Sequence, residues 1–182
     1  MSANIVSINV GLPRHVMYDD RNVATGIFKM PVAGKIKVRT LGLQGDGQAD
    51  LTVHGGPAKA VYAYPSEHYA YWQKQLRLNL PYGMFGENLT TKGLLEGAVH
   101  IGDRFRAGSA ELTVTQPRFP CYKLGIKFGT MDMLKRFQES GKSGFYLAVA
   151  KEGEFEAGDS LHLIRGDANN PTVAEVFTSD SS

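Results

Sequence analysis

The sequence has few of the residues on which several protein classes depend. Its 182 residues include one cysteine, Cys121, so no intrachain disulfide can form. No run of about 18 apolar residues predicts a transmembrane helix. A formal net charge of +2 gives no support for a nucleic-acid-binding surface. The first ten residues alternate polar and apolar side chains with no basic region before them, which predicts a strand instead of a signal peptide and favours a cytoplasmic protein.

Motifs for metal binding and hydrolysis are equally scarce. The five histidines are scattered and show no zinc-binding spacing. Asp46 and Asp50 are too widely interrupted for a calcium loop, and no nucleophile elbow of a serine hydrolase is present. A Cys–His hydrolase stays open, with Cys121 as the nucleophile and His54 as the base.

Glycine, by contrast, is abundant, with 21 residues spread along the chain. Short β-like runs between glycine-containing turns predict a mainly β fold with a few helices. The predicted strands are Asn4–Val10, Lys35–Thr40, Val61–Ala63, Val99–Ile101, Arg104–Ala107, Ala110–Thr115, Gly144–Ala150 and Ser160–Ile164. The predicted helices are Ser66–Leu76, whose aromatic residues suit the core better than a dimer contact, and Met131–Ser140, which ends at Gly141.

One pattern occurs twice. The segment Glu96–Phe105 matches Glu152–Leu161 in register, each with a Glu-Gly turn, a short alternating run and a Gly-Asp turn. We interpret the two segments as similar turn units of one β structure. Their aspartates, Asp103 and Asp159, are expected to accept hydrogen bonds from nearby backbone amides.

The surroundings of Cys121 allow two interpretations. Arg118 lies three positions before it and Lys123 two positions after it. Nearby cations favour the thiolate, which is the form that binds soft metals and attacks electrophiles. A lone cysteine is also a common packing residue, so the residues around Cys121 do not by themselves decide between the two.

Four other segments could carry chemistry, and each also has a structural interpretation. Lys29 is either an edge-strand charge or an anion ligand. The Gly55-Gly56 pair beside His54 and Lys59 is either an anion-binding loop or a tight turn. Asn88 and Thr90 either contact a polar ligand or stabilise their own loop. The last segment, around Lys142 and Ser143, is either a helix end or a further anion contact.

In this order the motifs resemble the MOSC domain, named for the molybdenum-cofactor sulfurase C-terminus, and most of all its stand-alone bacterial, YiiM-like branch. The motifs are Val53–Pro65, Phe85–Thr90, Ile101–Phe105, Gln116–Leu124, Ser140–Tyr146 and Ala157–Asp159. The match covers roughly residues 20–165, so we assign 1–165 to the domain and 166–182 to a short C-terminal tail. The three-helix appendage that follows the domain in many YiiM-like proteins is expected to be absent.

The resemblance implies a MOSC-type β-barrel-like fold and a molybdenum cofactor with Cys121 as the protein's ligand to the metal. Thiolate suits this metal, and the phosphate of the pterin needs cations and backbone amides. The candidate cofactor contacts are Lys29, His54, Gly55, Gly56, Lys59, Asn88, Thr90 and Arg118. Pyridoxal phosphate, sometimes associated with MOSC proteins, is not expected.

By the same resemblance, the expected activity is the reduction of small N-hydroxylated compounds by cleavage of the N–O bond. The chain carries no flavin, haem or iron–sulfur motif, so the electrons are expected from a separate donor protein. The alternative is a carrier module that hands molybdenum cofactor or a persulfide to another enzyme. No nucleic acid or membrane partner is expected, and a homodimer remains open.

Overall fold

A computed structural model describes residues 2–52 and 55–182 of the chain. The described residues form a mainly β fold with four α-helices, which confirms the predicted fold class. The strands are β1 Asn4–Val10, β2 Arg14–Tyr18, β3 Arg21–Thr25, β4 Met30–Val32, β5 Ile36–Arg39, β6 Gly42–Leu43, β7 Val61–Pro65, β8 Leu89–Lys92, β9 Arg104–Ala107, β10 Ala110–Pro117, β11 Phe145–Lys151, β12 Gly153–Phe155 and β13 His162–Arg165. The helices are α1 Glu67–Leu76, α2 Tyr122–Phe128, α3 Asp132–Ser140 and α4 Val173–Asp180.

The main sheet has eight strands in the order β13-β9-β10-β11-β7-β8-β1-β4. It curls because β1 also bonds to the segment that leads into β13. The Ile5 amide donates to the Asp159 carbonyl at 2.9 Å, and the Leu161 amide donates to the Ala3 carbonyl at 2.8 Å. These bonds connect the far end of the sheet to β1, so the sheet adopts the predicted barrel-like shape.

Strand β7 separates two hydrophobic clusters. Successive side chains of a strand point to opposite faces, and here Val61 and Ala63 face one cluster while Tyr62 and Tyr64 face the other. The first cluster, the barrel core, is mostly aliphatic and includes Ile5, Ile8, Val38, Val61, Ala63, Leu89, Leu112, Val114, Phe145 and Leu147. The second, the aromatic cluster, contains Ile27, Tyr62, Tyr64, Tyr69, Trp72, Leu80, Phe85, Leu124, Met133 and Phe137.

The two predicted helices form, and both contribute to the aromatic cluster. In α1, Tyr69 and Trp72 are buried, as the core interpretation requires, whereas Tyr71 is exposed. Helix α3 ends as predicted at Gly141, whose φ of 67° is left-handed and suits a residue without Cβ. No helix in the described part of the chain is long and apolar enough to span a membrane.

Two local predictions had different outcomes. The aspartates of the repeated turn units behave as predicted, because Asp103 accepts from the His100 amide and Asp159 from the Glu156 amide, each at 2.9 Å. The predicted strand Val99–Ile101 is wrong. His100 forms an isolated bridge to Thr172, and the ladder does not continue because the partner segment enters α4 at Val173.

The final segment of the chain is more ordered than a loose tail. Thr172 caps α4 in a reciprocal capping box with Glu175. Val173 packs in the barrel core, and the buried ring of Phe177 stacks on Phe119 with centroids 5.1 Å apart.

Candidate functional site

A pocket opens where the end of β3, the loop after β6, β7 and the segment after β10 meet. Its empty space is about 700 Å³ when the open mouth on the solvent side is included. Its lining is Thr25, Gly26, Ile27, Lys29, Asp46, Gly47, Gln48, Ala49, Asp50, Lys59, Ala60, Tyr62, Gly86, Asn88, Arg118, Phe119, Cys121, Lys123 and Tyr146. Five of the nine predicted site residues therefore share one cavity.

Cys121 lies at the turn from extended chain into helix. Strand β10 ends at Pro117, and Cys121 is the extended residue directly before α2, with φ −127° and ψ 170°. Its side chain makes no capping bond to the helix and is a half-buried free thiol that lines the pocket. A thiol in this position is accessible to a ligand while its backbone is held by the helix.

Arg118 is a buried cation beside this thiol, and its residue is 6% exposed. One terminal nitrogen donates to the Phe85 carbonyl at 2.8 Å and to the Tyr62 hydroxyl at 3.4 Å. Burial alone would lower the pKa of the guanidinium, but Tyr62 and Tyr146 outweigh it and raise the pKa, so the cation is retained. Within residues 2–52 and 55–182, no carboxylate forms an ion pair with Arg118. A buried cation without a counter-ion favours an anionic ligand.

Lys29 also lines the pocket, but its charge is already paired. Its ammonium lies 2.6 Å from Asp46 Oδ1, and both side chains are buried. Asp46 accepts further bonds from the Gly11 amide at 3.0 Å and the Asn88 side-chain amide at 2.9 Å. Asn88 in turn accepts from the Tyr62 amide at 3.0 Å. Lys29 and Asn88 therefore belong to a network that braces one wall of the pocket.

Three predicted contacts lie away from this cavity. Gly55 and Gly56 do not line it, and the Gly56 amide donates to the Gln48 side chain at 2.9 Å. A Cβ on Gly55 would lie 2.5 Å from the same Gln48 oxygen, so the close approach that glycine permits is to this chain's own loop. Thr90 is fully buried and bonds to Glu87 and Asn9. The binding roles assigned to these three residues stay predictions.

Of the remaining two predicted contacts, Lys59 is among the described residues and His54 is not. Lys59 ends a 3-10 turn, Pro57–Lys59, and its ammonium lies 5.6 Å from the centre of the Tyr146 ring at the pocket wall. His54 falls outside the described residues, so its predicted role as cofactor contact or base stays a prediction.

Sequence reasoning missed Asp46, Tyr62 and Tyr146. Asp46 was weighed only as a calcium ligand, although a lone Asp between two glycines often anchors a loop through backbone amides. Tyr62 was visible as a polar tip within a buried strand, because a buried tyrosine needs a hydrogen-bond partner. Its hydroxyl donates to the Ser143 carbonyl at 2.6 Å and accepts from Arg118.

The comparison with protein families identifies this arrangement. The MOSC domain model matches residues 50–162, which carry Cys121, Arg118 and most of the pocket wall. The chain belongs to the MOSC domain family. The family is associated with molybdenum-cofactor binding.

Relatives of this MOSC domain occur in bacteria and a fungus. It is 45% identical to uncharacterized protein YflK of Bacillus subtilis (strain 168), covering 90% of this chain and 75% of YflK. It is 42% identical to protein YiiM of Escherichia coli (strain K12), covering 84% and 69%. It is 33% identical to a protein named reductase from Gibberella moniliformis, covering 78% of this chain but 26% of that protein.

A solved structure agrees with these sequence matches. YiiM from Geobacillus stearothermophilus superposes with a TM-score of 0.82 at 37% identity and covers 98% of this chain and 84% of that one. The predicted resemblance to the MOSC family and its YiiM-like branch is therefore confirmed.

The donors around the pocket bear on how this MOSC domain would hold a metal. In the described part of the chain, no three His, Cys, Asp or Glu side chains come together as a metal-binding group. A metal bound to Cys121 would need further donors from a cofactor, and a buried arginine beside the thiol suits a cofactor with negative charge. The residues present therefore fit a molybdenum cofactor.

Proposed function

We propose that this MOSC domain binds a molybdenum cofactor in the pocket and reduces small N-hydroxylated compounds. The observation that carries the proposal is the pairing of a half-buried free thiol, Cys121, with Arg118, a buried cation that has no carboxylate partner in the described structure. A soft sulfur ligand and an unmatched buried charge are together suited to an anionic metal cofactor. The fungal relative named reductase supports redox chemistry.

In this proposal Cys121 is the protein's ligand to the metal, Arg118 holds negative charge of the cofactor, and Lys59 extends the cationic wall. The bound cofactor would supply the two electrons of the reduction. N–O cleavage takes up these two electrons and two protons, breaks the bond and releases the amine and water. Tyr62, Tyr146 and the Lys29–Asp46 pair keep the wall in place around the substrate, and a separate redox protein returns the electrons.

Metal analysis of the full chain, produced in a molybdenum-replete host, tests the proposal. We expect stoichiometric molybdenum and pterin in the unmodified protein and their complete loss in Cys121→Ala. Cys121→Ser is the matched control for shape, because it keeps the side chain's size but replaces a soft donor by a hard one. It should lose the metal as well, while both variants unfold at the temperature of the unmodified protein from which the cofactor has been removed.

Retention of molybdenum by either variant would contradict the ligand role of Cys121. Absence of molybdenum and pterin from the unmodified protein would contradict the cofactor proposal as a whole. Loaded protein should reduce benzamidoxime with an artificial electron donor, and loaded protein without that activity would contradict the reductase proposal.

The second candidate is a carrier of cofactor or persulfide, and the exposure of the Cys121 thiol is what favours it. A loaded protein that transfers its cofactor to an apo-enzyme but reduces no N-hydroxylated compound would support this candidate. A sulfur atom added to Cys121, detected by intact mass, would distinguish persulfide from cofactor transport.

A further inference from the structure

Next to the pocket, a two-stranded hairpin made of β2 and β3 stands apart from the main sheet. An isolated two-stranded hairpin is marginal in water, so its contacts with the rest of the molecule matter. Two contacts connect it to neighbouring segments. Tyr18 lies 6.3 Å from Tyr122 of α2 between ring centroids, and the Arg14 guanidinium lies 3.6 Å from the centre of the Phe28 ring.

A second cation lies over the same ring. The Lys127 ammonium lies 4.6 Å from the centre of the Phe28 ring. We call the group of side chains Arg14, Phe28 and Lys127 the Phe28 cluster. Neither cation has an ion pair with a carboxylate among the residues that the structure describes, although each lies close to another positive charge.

The carboxylate of Glu87 acts on the charge of Lys127 but cannot neutralise the Phe28 cluster. Glu87 is completely buried, and its oxygens accept bonds from the Tyr69 hydroxyl, the Thr90 hydroxyl and the amides of Gly83 and Phe85. Its acceptor sites are thus used inside the protein. Burial first, and repulsion by Arg14 second, lower the pKa of Lys127, as expected for a cation that lacks a counter-ion.

Cation–π attraction alone explains this arrangement poorly. Such a contact contributes only about 0.5–1 kcal/mol at an exposed site, and two like charges at one ring repel each other. An anion between the two charges would turn that repulsion into two charge-assisted hydrogen bonds.

The Phe28 cluster also lies next to the pocket. Arg14 pairs across the hairpin with Thr25, which lines the pocket. On α2, Lys127 is four residues after Lys123, so the two lie on one helix face, and Lys123 lines the pocket. A molecule in the pocket could thus extend towards both cations.

We propose that the Phe28 cluster binds an anionic group, phosphate or carboxylate, carried by the molecule whose other end enters the pocket. The inference deepens the proposed function, on which it rests where it names that molecule as the substrate. It places the substrates among N-hydroxylated compounds that bear a phosphate or carboxylate.

Titration of the full chain with inorganic phosphate or acetate, followed by amide NMR, tests anion binding at the Phe28 cluster without any cofactor. We expect the amides of Arg14, Phe28 and Lys127 to shift with phosphate, acetate or both, and the anion that binds more tightly identifies the source. Arg14→Gln combined with Lys127→Gln should weaken binding about tenfold or more. Arg14→Lys with Lys127→Arg should retain most of it, and Lys135→Gln, an exposed lysine of α3, should change nothing.

The inference would be overturned if neither phosphate nor acetate shifts an amide of the Phe28 cluster. It would also be overturned if the anions bind equally well to the doubly neutralised variant. Enzyme assays separate this outcome from failure of the proposed function. If the loaded enzyme reduces neutral and anionic N-hydroxylated compounds, the neutralised variant should raise KM about tenfold for the anionic compound alone. Equal effects on both compounds would overturn the inference while the proposed function stands.

Discussion

The two hydrophobic clusters on either side of β7 differ in chemistry. The barrel core is built mostly from aliphatic side chains, whereas the aromatic cluster carries hydroxyl, indole and guanidinium groups within it or against it. In the aromatic cluster the Tyr64 hydroxyl accepts from the Trp72 indole at 2.7 Å, and Arg118 lies over the Tyr62 and Phe137 rings. Among the described residues, the aromatic cluster contributes Ile27 and the hydroxyl-bearing Tyr62 to the pocket wall, whereas the barrel core contributes Ala60 alone.

This difference separates stability from function. Aliphatic burial stabilises in proportion to the area removed from water and has no directional demand. Buried polar groups must instead be held by specific partners, which fixes their positions. The aromatic cluster therefore positions Tyr62 and Arg118, while the barrel core holds the sheet that carries them.

The largest expected effect comes from a cavity in the barrel core. Leu112→Ala removes a completely buried side chain and should lower the free energy of unfolding by about 2–5 kcal/mol. The molybdenum content per folded molecule should not change. Urea unfolding and metal analysis measure the two quantities. Leu78→Ala, at a side chain 54% exposed, is the matched control and should change stability by less than about 0.5 kcal/mol. Loss of metal from folded Leu112→Ala would contradict the assignment of stability to the barrel core and of the binding site to the aromatic cluster.

Much of the barrel could be predicted from the sequence because its strands alternate clearly and end at glycines. The β2–β3 hairpin was missed, although a signal existed. Asp19 and Asp20 both have positive φ, 49° and 58°, as the two central residues of a tight hairpin turn require, and aspartate tolerates this conformation. Helix α2 was missed because it has only seven residues, too few for a helical period to be recognised.

The pocket was predictable only in part, for a physical reason. Cys121 and Arg118 belong to one short segment and could be found together from the sequence. Asp46 could not be linked to Lys29 or Asn88, because the network that joins them depends on contacts between segments distant in the chain. The burial of Thr90 could not be predicted, because a hydroxyl two residues after an Asn does not reveal which face of its strand is buried; its role as a ligand contact stays a prediction.

The tyrosines of the aromatic cluster predict a second difference between the two clusters, visible at high pH. Burial raises the pKa of Tyr62, Tyr64 and Tyr69 above the ordinary value. A group with a raised pKa in the folded state stabilises fully below its unfolded pKa, and this stability is lost as pH rises towards the folded value. Stability should therefore fall above about pH 10, with each buried tyrosine contributing a slope of about 1.4 kcal/mol per pH unit.

Urea unfolding at pH 9, 10 and 11 measures this slope. In Tyr64→Phe the fall in stability between pH 10 and 11 should be smaller by about 1 kcal/mol, approaching the limit of about 1.4 kcal/mol per pH unit at higher pH, because the deleted hydroxyl ionises in this range only in the unfolded state. Leu78→Ala, at an exposed side chain outside the aromatic cluster, removes no ionising group and is the control, which should leave the slope nearly unchanged. A slope equal in both variants would show that the buried tyrosines do not control alkaline stability.

The smallest expected effect is a stabilisation of the barrel core. In the described part of the chain, Thr91 Oγ1 is a buried side-chain atom without a hydrogen-bond partner, and Thr91 lines a small internal cavity with Leu89, Leu112 and Phe145. Thr91→Val replaces this hydroxyl by a methyl group of similar size. Since the desolvated hydroxyl gains nothing in return, stability should rise by about 1 kcal/mol.

Tyr64→Phe at neutral pH is the matched contrast, because it also deletes one buried hydroxyl but leaves the Trp72 indole without its acceptor. It should lower stability by about 1–2 kcal/mol. Opposite signs for the two deletions, measured by urea unfolding at pH 7, would confirm that hydroxyls are structural only in the aromatic cluster. Destabilisation by Thr91→Val would instead indicate that the barrel core also depends on a polar contact, and the division between the two clusters would fail.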